Sequence, residues 1–133
     1  MNPVRVLVVD DQALFRRVMS AVVDETEGFV LVGSAVSGEE SIVTAGRLRP
    51  DLILMDVNLP GIDGMEATRR LRADTTAAAV VLLSTYDEDD WDGQAQECGA
   101  LAYIGKSAFG PDTLTAVWAM CRALDKQNSP DGT

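Results

Sequence analysis

The chain has no histidine among its 133 residues. Without an imidazole it cannot build a Ser-His-Asp triad, a His-ligated metal centre or a phosphohistidine of its own, so any such chemistry has to come from a partner. Cysteine is nearly as scarce. Cys98 and Cys121 are too few for a four-cysteine zinc site and lack CxxC spacing. Each falls in an apolar helical pattern, which predicts buried thiols acting as small hydrophobes. Basic residues are in short supply too: 11 Lys and Arg stand against 21 Asp and Glu, a formal charge of −10. Phosphate backbones and anionic membranes are bound through Lys and Arg, so this balance argues against either as a direct partner. No apolar run is long enough to span a bilayer. The N-terminus MNPVRVLVVDDQ runs from a short apolar stretch straight into paired aspartates, unlike a signal peptide. These absences predict a cytoplasmic chain, and its 133 residues fit one compact domain.

What is present is regular. Apolar, β-branched runs recur at Val4 to Val9, Phe29 to Val36, Leu52 to Met55, Ala79 to Leu83 and Ala102 to Ile104. Such runs suit strands covered on both faces. Segments of helical length and period separate them. Leu114, Val117, Cys121 and Leu124 line one face of the last helix, and Leu14, Val18, Ala21 and Val22 are expected to form the buried stripe of the first. Ser37 with Glu40, and Asp63 with Glu66, have the spacing of capping boxes, and Pro111 suits the first turn of the last helix. The acidic run Asp87 to Asp90 predicts the start of a fourth helix carrying Trp91. Five strands alternating with five helices predict an α/β, (βα)5 doubly wound parallel sheet of flavodoxin-like strand order 2-1-3-4-5. The domain is expected to occupy residues 1–126, with residues 127–133 as a disordered tail or the start of a linker.

Ligands of open parallel sheets bind at the carboxyl ends of the strands. Here those ends carry Asp10 and Asp11, then Asp56, then Ser84 and Thr85, and, through Tyr103 to Gly105, Lys106. The strand order brings all of them to one edge. Two unit charges about 4 Å apart repel by roughly 4 kcal/mol at an effective dielectric near 20, so three carboxylates need an offsetting cation or a raised pKa. A hard divalent ion with oxygen ligands meets that need, and the missing histidine favours Mg²⁺, with Mn²⁺ as a substitute, over Zn²⁺ or Cu²⁺. A lysine and a hydroxyl beside such an ion can engage the equatorial oxygens of a transferring phosphoryl group. Asp56, alone at the end of the central strand, is the candidate nucleophile for an acyl phosphate. Taken singly, Asp10 or Asp11 could be a helix N-cap, Asp56 could open a turn before Pro60 and Gly61, and Lys106 could be a surface lysine. Their conjunction at neighbouring strand ends favours the phosphoryl site.

The segments VRVLVVDDQALFRR, LILMDVNLPGIDGMEATRRL, VVLLSTYD and CGALAYIGKS, in this order, resemble a response regulator receiver domain of two-component signalling. The likeness runs from Val4 to about Leu124, and its details resemble the NarL/FixJ-like subfamily, whose members often carry a C-terminal DNA-binding domain. The resemblance implies that Asp56 accepts a phosphoryl group from a phosphohistidine on a sensor histidine kinase. It implies that Asp11, Asp56 and the backbone carbonyl of Asn58 ligate Mg²⁺, with Asp10 helping through water. Ser84 and Lys106 would then bind the phosphoryl oxygens, and Ser84 and Tyr103 would rearrange together as a switch. A homodimer on phosphorylation and control of transcription through a segment outside this chain are further implications, with action by protein contact alone as the alternative.

Leu59 stands where a methionine is frequent in that family, a nearly isosteric change. Ser107 stands where a proline often follows the lysine, which leaves the Lys106–Ser107 peptide geometry open. Trp118 is expected in the core, and Trp91 is left open between core and interface. Two rival readings use related chemistry. A haloacid-dehalogenase-like phosphatase also forms an aspartyl phosphate, but Asn58 and Pro60 break its DxDx(T/V) signature. An FMN carrier would need a phosphate-binding loop after the first strand, where Asp10 and Asp11 would repel the phosphate.

Overall fold

A computed structural model describes residues 2–74, 78–85 and 97–127, with side chains through residue 123 in the last helix. Five parallel strands, β1 (Val4–Val9), β2 (Phe29–Ala35), β3 (Leu52–Asp56), β4 (Ala79–Ser84) and β5 (Ala102–Gly105), form one sheet in the order β2-β1-β3-β4-β5. Helices α1 (Ala13–Glu25), α2 (Gly38–Leu48) and α3 (Gly64–Ala73) follow the first three strands, and a C-terminal helix runs over Pro111–Gln127. The strand order and element alternation are those expected from the sequence. The expected fourth helix, with Trp91 and the acidic run Asp87 to Asp90, falls outside the described residues.

Side-chain alternation divides the core into two layers. From β1, Leu7 and Val9 face one way and pack with Ile53, Met55, Val80 and Leu82 beneath α2 and α3. Val6 and Val8 face the other way and pack with Leu54, Val81 and Leu83 beneath α1 and the C-terminal helix. Strands buried on both faces explain the unbroken apolar runs. Each fully buried Leu or Ile contributes roughly 1.5–3 kcal/mol, so β3, whose Leu52, Ile53, Leu54 and Met55 are all fully buried, anchors the molecule. Both capping boxes form their side-chain-to-backbone bond: Ser37 Oγ accepts from Glu40 N at 3.1 Å and Asp63 Oδ1 from Glu66 N at 2.8 Å. Cys98 and Cys121 are buried thiols, and Trp118 packs, partly buried, against the layer beneath α1.

The first helix is turned differently from expectation. Its buried residues are Met19 and Val23, with Phe15 and Val22 partly buried beside them. Leu14 is 72% exposed and Val18 43%. The helix carries apolar residues on two faces, and the one with the bulkier Phe15 and Met19 fills the gap over β1 and β3. The C-terminal helix runs one residue into the expected tail, to Gln127, as Lys126 and Gln127 are good helix formers. The Lys106–Ser107 peptide is trans, and Lys106 opens a short 3-10 turn, Lys106–Ala108. Among the described residues no helix is long and apolar enough to cross a membrane.

Candidate phosphoryl and metal site

Strand register assembles the site. Val9 pairs with Met55, so Asp10 and Asp56 emerge side by side one residue later. Asp56 pairs with Leu83, and Ser84 pairs with Gly105, so Ser84 and Lys106 reach the same edge from the next two strands. Asp10, Asp56 and Ser84 are all buried, whereas Asp11 is exposed at the mouth.

Lys106 is the charge that holds the acids together. Its Nζ donates to Asp10 Oδ2 at 2.8 Å and stands 3.5 Å from Asp56 Oδ1. The side chains of this trio are only 0–5% exposed, so the pair is desolvated and depends on good geometry. Asp10 Oδ1 accepts from the Gln12 N–H at 2.9 Å, which closes the turn into α1. Gln12, not either aspartate, is the helix N-cap residue. Asp56 Oδ1 accepts from the Asn58 N–H at 3.3 Å, the start of the loop after β3. Burial, and then the negative charge of Asp10, raise the Asp56 carboxyl above its ordinary value, with Lys106 and the Asn58 amide pulling the other way.

One carboxylate oxygen from each of Asp10, Asp11 and Asp56 lies within 4.8 Å of the others. An all-oxygen set with two buried members and one at the mouth fits a hard divalent ion that keeps some of its water. Asn58 is exposed in the loop beside this set.

Ser84 and Tyr103 lie on the same side of the sheet. Tyr103 packs, partly buried, against the layer beneath α2 and α3. It pairs with Leu82, two residues before Ser84, which puts the hydroxyl and the ring in diagonal register. Each makes a polar or ring interaction in this state.

The fold adds residues that sequence reasoning did not find. The Phe15 ring lies beneath Lys106, with Nζ 4.0 Å from its centroid. Arg16 Nη1 donates to the Asp10 carbonyl at 2.8 Å, fixing the backbone that carries the acid pair. Glu39 Oε2 accepts from Ile62 N at 3.4 Å, tying α2 to the loop after Asp56. Gly64 N donates to the Val57 carbonyl at 2.9 Å and closes that loop. The one local signal for Phe15 is its place in the first turn after the acid pair.

Comparison with known proteins points to one family. A family model described as a response regulator receiver domain matches residues 6–118. The response regulator GacA of Pseudomonas viridiflava is 42% identical over 114 residues, covering 86% of this chain and 53% of that protein. UvrY of Escherichia coli K12 is 30% identical over the same length, covering 86% and 52%. The signal receiver domain of NarL from Mycobacterium tuberculosis superposes with a TM-score of 0.84 at 28% identity, covering 92% of this chain and 98% of that domain. The chain spans about half the length of the curated relatives it matches.

Proposed function

Because the chain belongs to the response regulator receiver domain family, we propose that Asp56 takes a phosphoryl group from a phosphohistidine of a sensor histidine kinase. An Asp56 carboxylate oxygen bonds to phosphorus as the donor's P–N bond breaks, and the electron pair stays on the imidazole nitrogen, which is then protonated. The observation that carries this reading is the buried trio of Asp10, Asp56 and Lys106 at one sheet edge, with a single ammonium offsetting two carboxylates. Such a site has room for more positive charge and offers a nucleophile, a combination typical of phosphoryl transfer.

Asp11, Asp56 and the Asn58 carbonyl would hold Mg²⁺, or Mn²⁺ in its place, with Asp10 acting through water. When bound, the ion offsets the charge of the acid cluster and of the phosphoryl oxygens. Lys106 and Ser84 bind those oxygens. Drawing Ser84 toward Asp56 clears space on the side of the sheet that Tyr103 shares, giving a two-state element. The domain assists its own phosphorylation and dephosphorylation and is not a multiple-turnover enzyme. As a cytoplasmic module it passes the switched state to an output, control of transcription through a DNA-binding segment outside these residues, with a homodimer formed on phosphorylation.

The test is intact-mass measurement after incubation with phosphoramidate and Mg²⁺. The parent is expected to gain one phosphoryl mass and Asp56→Asn none. An unchanged parent, or equal uptake by the variant, would refute the assignment.

A further inference from the structure

We propose that Phe15 is a positioning residue for Lys106, its ring face holding the ammonium in the pocket while Nζ exchanges Asp10 for a phosphoryl oxygen on Asp56. The inference rests on the reading of Asp56 as phosphoacceptor. Nζ has three donors, and its one short hydrogen bond to an acid is the 2.8 Å contact with Asp10 Oδ2, the Asp56 contact being 3.5 Å. Another side of the ammonium faces the Phe15 ring, 4.0 Å from the centroid. The lysine side chain is 5% exposed, so the water a surface ammonium would keep is largely gone. The negative face of an aromatic ring replaces part of that hydration, and its attraction strengthens with desolvation.

The kind of hold matters as much as its strength. A carboxylate fixes an ammonium through directed hydrogen bonds, so moving Nζ means breaking one. A ring face attracts the charge without specifying which N–H points where. Lysine is a compact point charge with three rotatable donors, and it can turn from Asp10 toward an oxygen on Asp56 while resting on the same face. Phe15 is itself steadied by the apolar layer beneath α1, which includes Met19, Leu54 and Leu83. A leucine here would fill much of the same volume and pack on the same layer but present no negative face to the ammonium.

The experiment separates ring electrostatics from ring packing. Phe15 is replaced in the full chain by mono-, di- and trifluorophenylalanine, which keep the ring's shape and progressively cancel its negative face. Phe15→Leu serves as the ringless variant. The rate of phosphoryl uptake from phosphoramidate with Mg²⁺ is expected to fall stepwise with fluorine number, by roughly three- to thirty-fold across the series. In proton–carbon spectra the Lys106 ε-methylene protons should lie upfield in the parent and its fluorinated forms, under the ring current, and return to ordinary positions in Phe15→Leu. Rates that do not change with fluorination overturn the inference, as do ε-methylene protons at ordinary positions in the parent. A parent that takes up no phosphoryl group before any substitution removes the Asp56 reading, and the inference with it, a result distinguishable from a flat series on an active parent.

Discussion

Gly64 has no room for a side chain because the carbonyl oxygen of Asp56 occupies the place its Cβ would take. The Val57 Cα would be 2.9 Å from that Cβ as well, so both obstacles are backbone and neither can swing aside. The first residue of α3 therefore packs directly on the strand end that presents the candidate nucleophile. Gly64→Ala forces the loop after β3 outward and is expected to cost about 1–3 kcal/mol in chemical denaturation, in the range of overpacked interiors. Phosphoryl uptake should fall with it, since the displaced backbone carries Asp56. Wild-type stability in Gly64→Ala would show that the loop yields more easily than this contact implies.

Much of this architecture was legible in the sequence because each layer repeats a simple signal. Strands covered on both faces leave unbroken apolar runs, and Ser37 and Asp63 announce α2 and α3 by capping chemistry alone. That the acids, Ser84 and Lys106 converge on one sheet edge was legible because strand order fixes which strand ends are neighbours. What was hidden had one of two causes. The first helix has apolar residues on two faces, and periodicity does not say that Phe15 and Met19 go inward while Leu14 and Val18 stay out. The Phe15 to Lys106 contact joins the first turn of α1 to the end of β5, far apart in the chain, where no local pattern records the pairing.

The raised proton affinity of Asp56 has a consequence for stability. Below the ordinary carboxyl value of 3.8 both folded and unfolded chains hold this proton, and it contributes nothing. As pH rises past that value the unfolded chain releases the proton first, so the native state binds more protons and stability falls until the folded group also ionises. Above that point the loss is constant. Asp56→Asn, which removes the charge at nearly equal volume, is therefore expected to raise Tm by a few degrees at neutral pH, with the gain vanishing in strong acid. A gain independent of pH, or a loss at neutral pH, would contradict this account of burial and repulsion from Asp10.

Removing Lys106 should make the acid cluster depend on a divalent ion. Its ammonium is the buried partner of Asp10, and breaking such a pair leaves a desolvated charge at a cost of about 3–5 kcal/mol. A divalent cation bound only by the folded form stabilises it in proportion to the logarithm of its concentration. Thermal unfolding of Lys106→Met in chelator should thus show a large fall in Tm, and millimolar Mg²⁺ should restore more of it than it adds to the parent. Asp11→Asn, which removes the exposed member of the oxygen set, should weaken the Mg²⁺ increment in both backgrounds. Equal Mg²⁺ increments with and without Lys106 would mean that the ion does not bind among these carboxylates.

If Asp56 is phosphorylated from a phosphohistidine as proposed, the outward face of α1 is the expected docking place for the donor. Leu14 and Val18 are one turn apart and both exposed, on a helix that begins two residues after Asp11. Leu14 is also the chain neighbour of Phe15, whose ring touches Lys106. On the proposed reading the phosphohistidine lies outside these residues, which hold no histidine, and the surface carrying it has to come close to the pocket mouth. An apolar pair beside that mouth suits such a contact, because an apolar anchor gains from desolvation where a rim charge gains little. Leu14→Asp is expected to slow transfer at least tenfold from a phosphorylated histidine-kinase fragment that phosphorylates the parent. Uptake from phosphoramidate should remain at the parent rate, since the small donor needs only the pocket. Comparable slowing with both donors would place the defect in the pocket, and no slowing with either would remove this face of α1 from the docking surface.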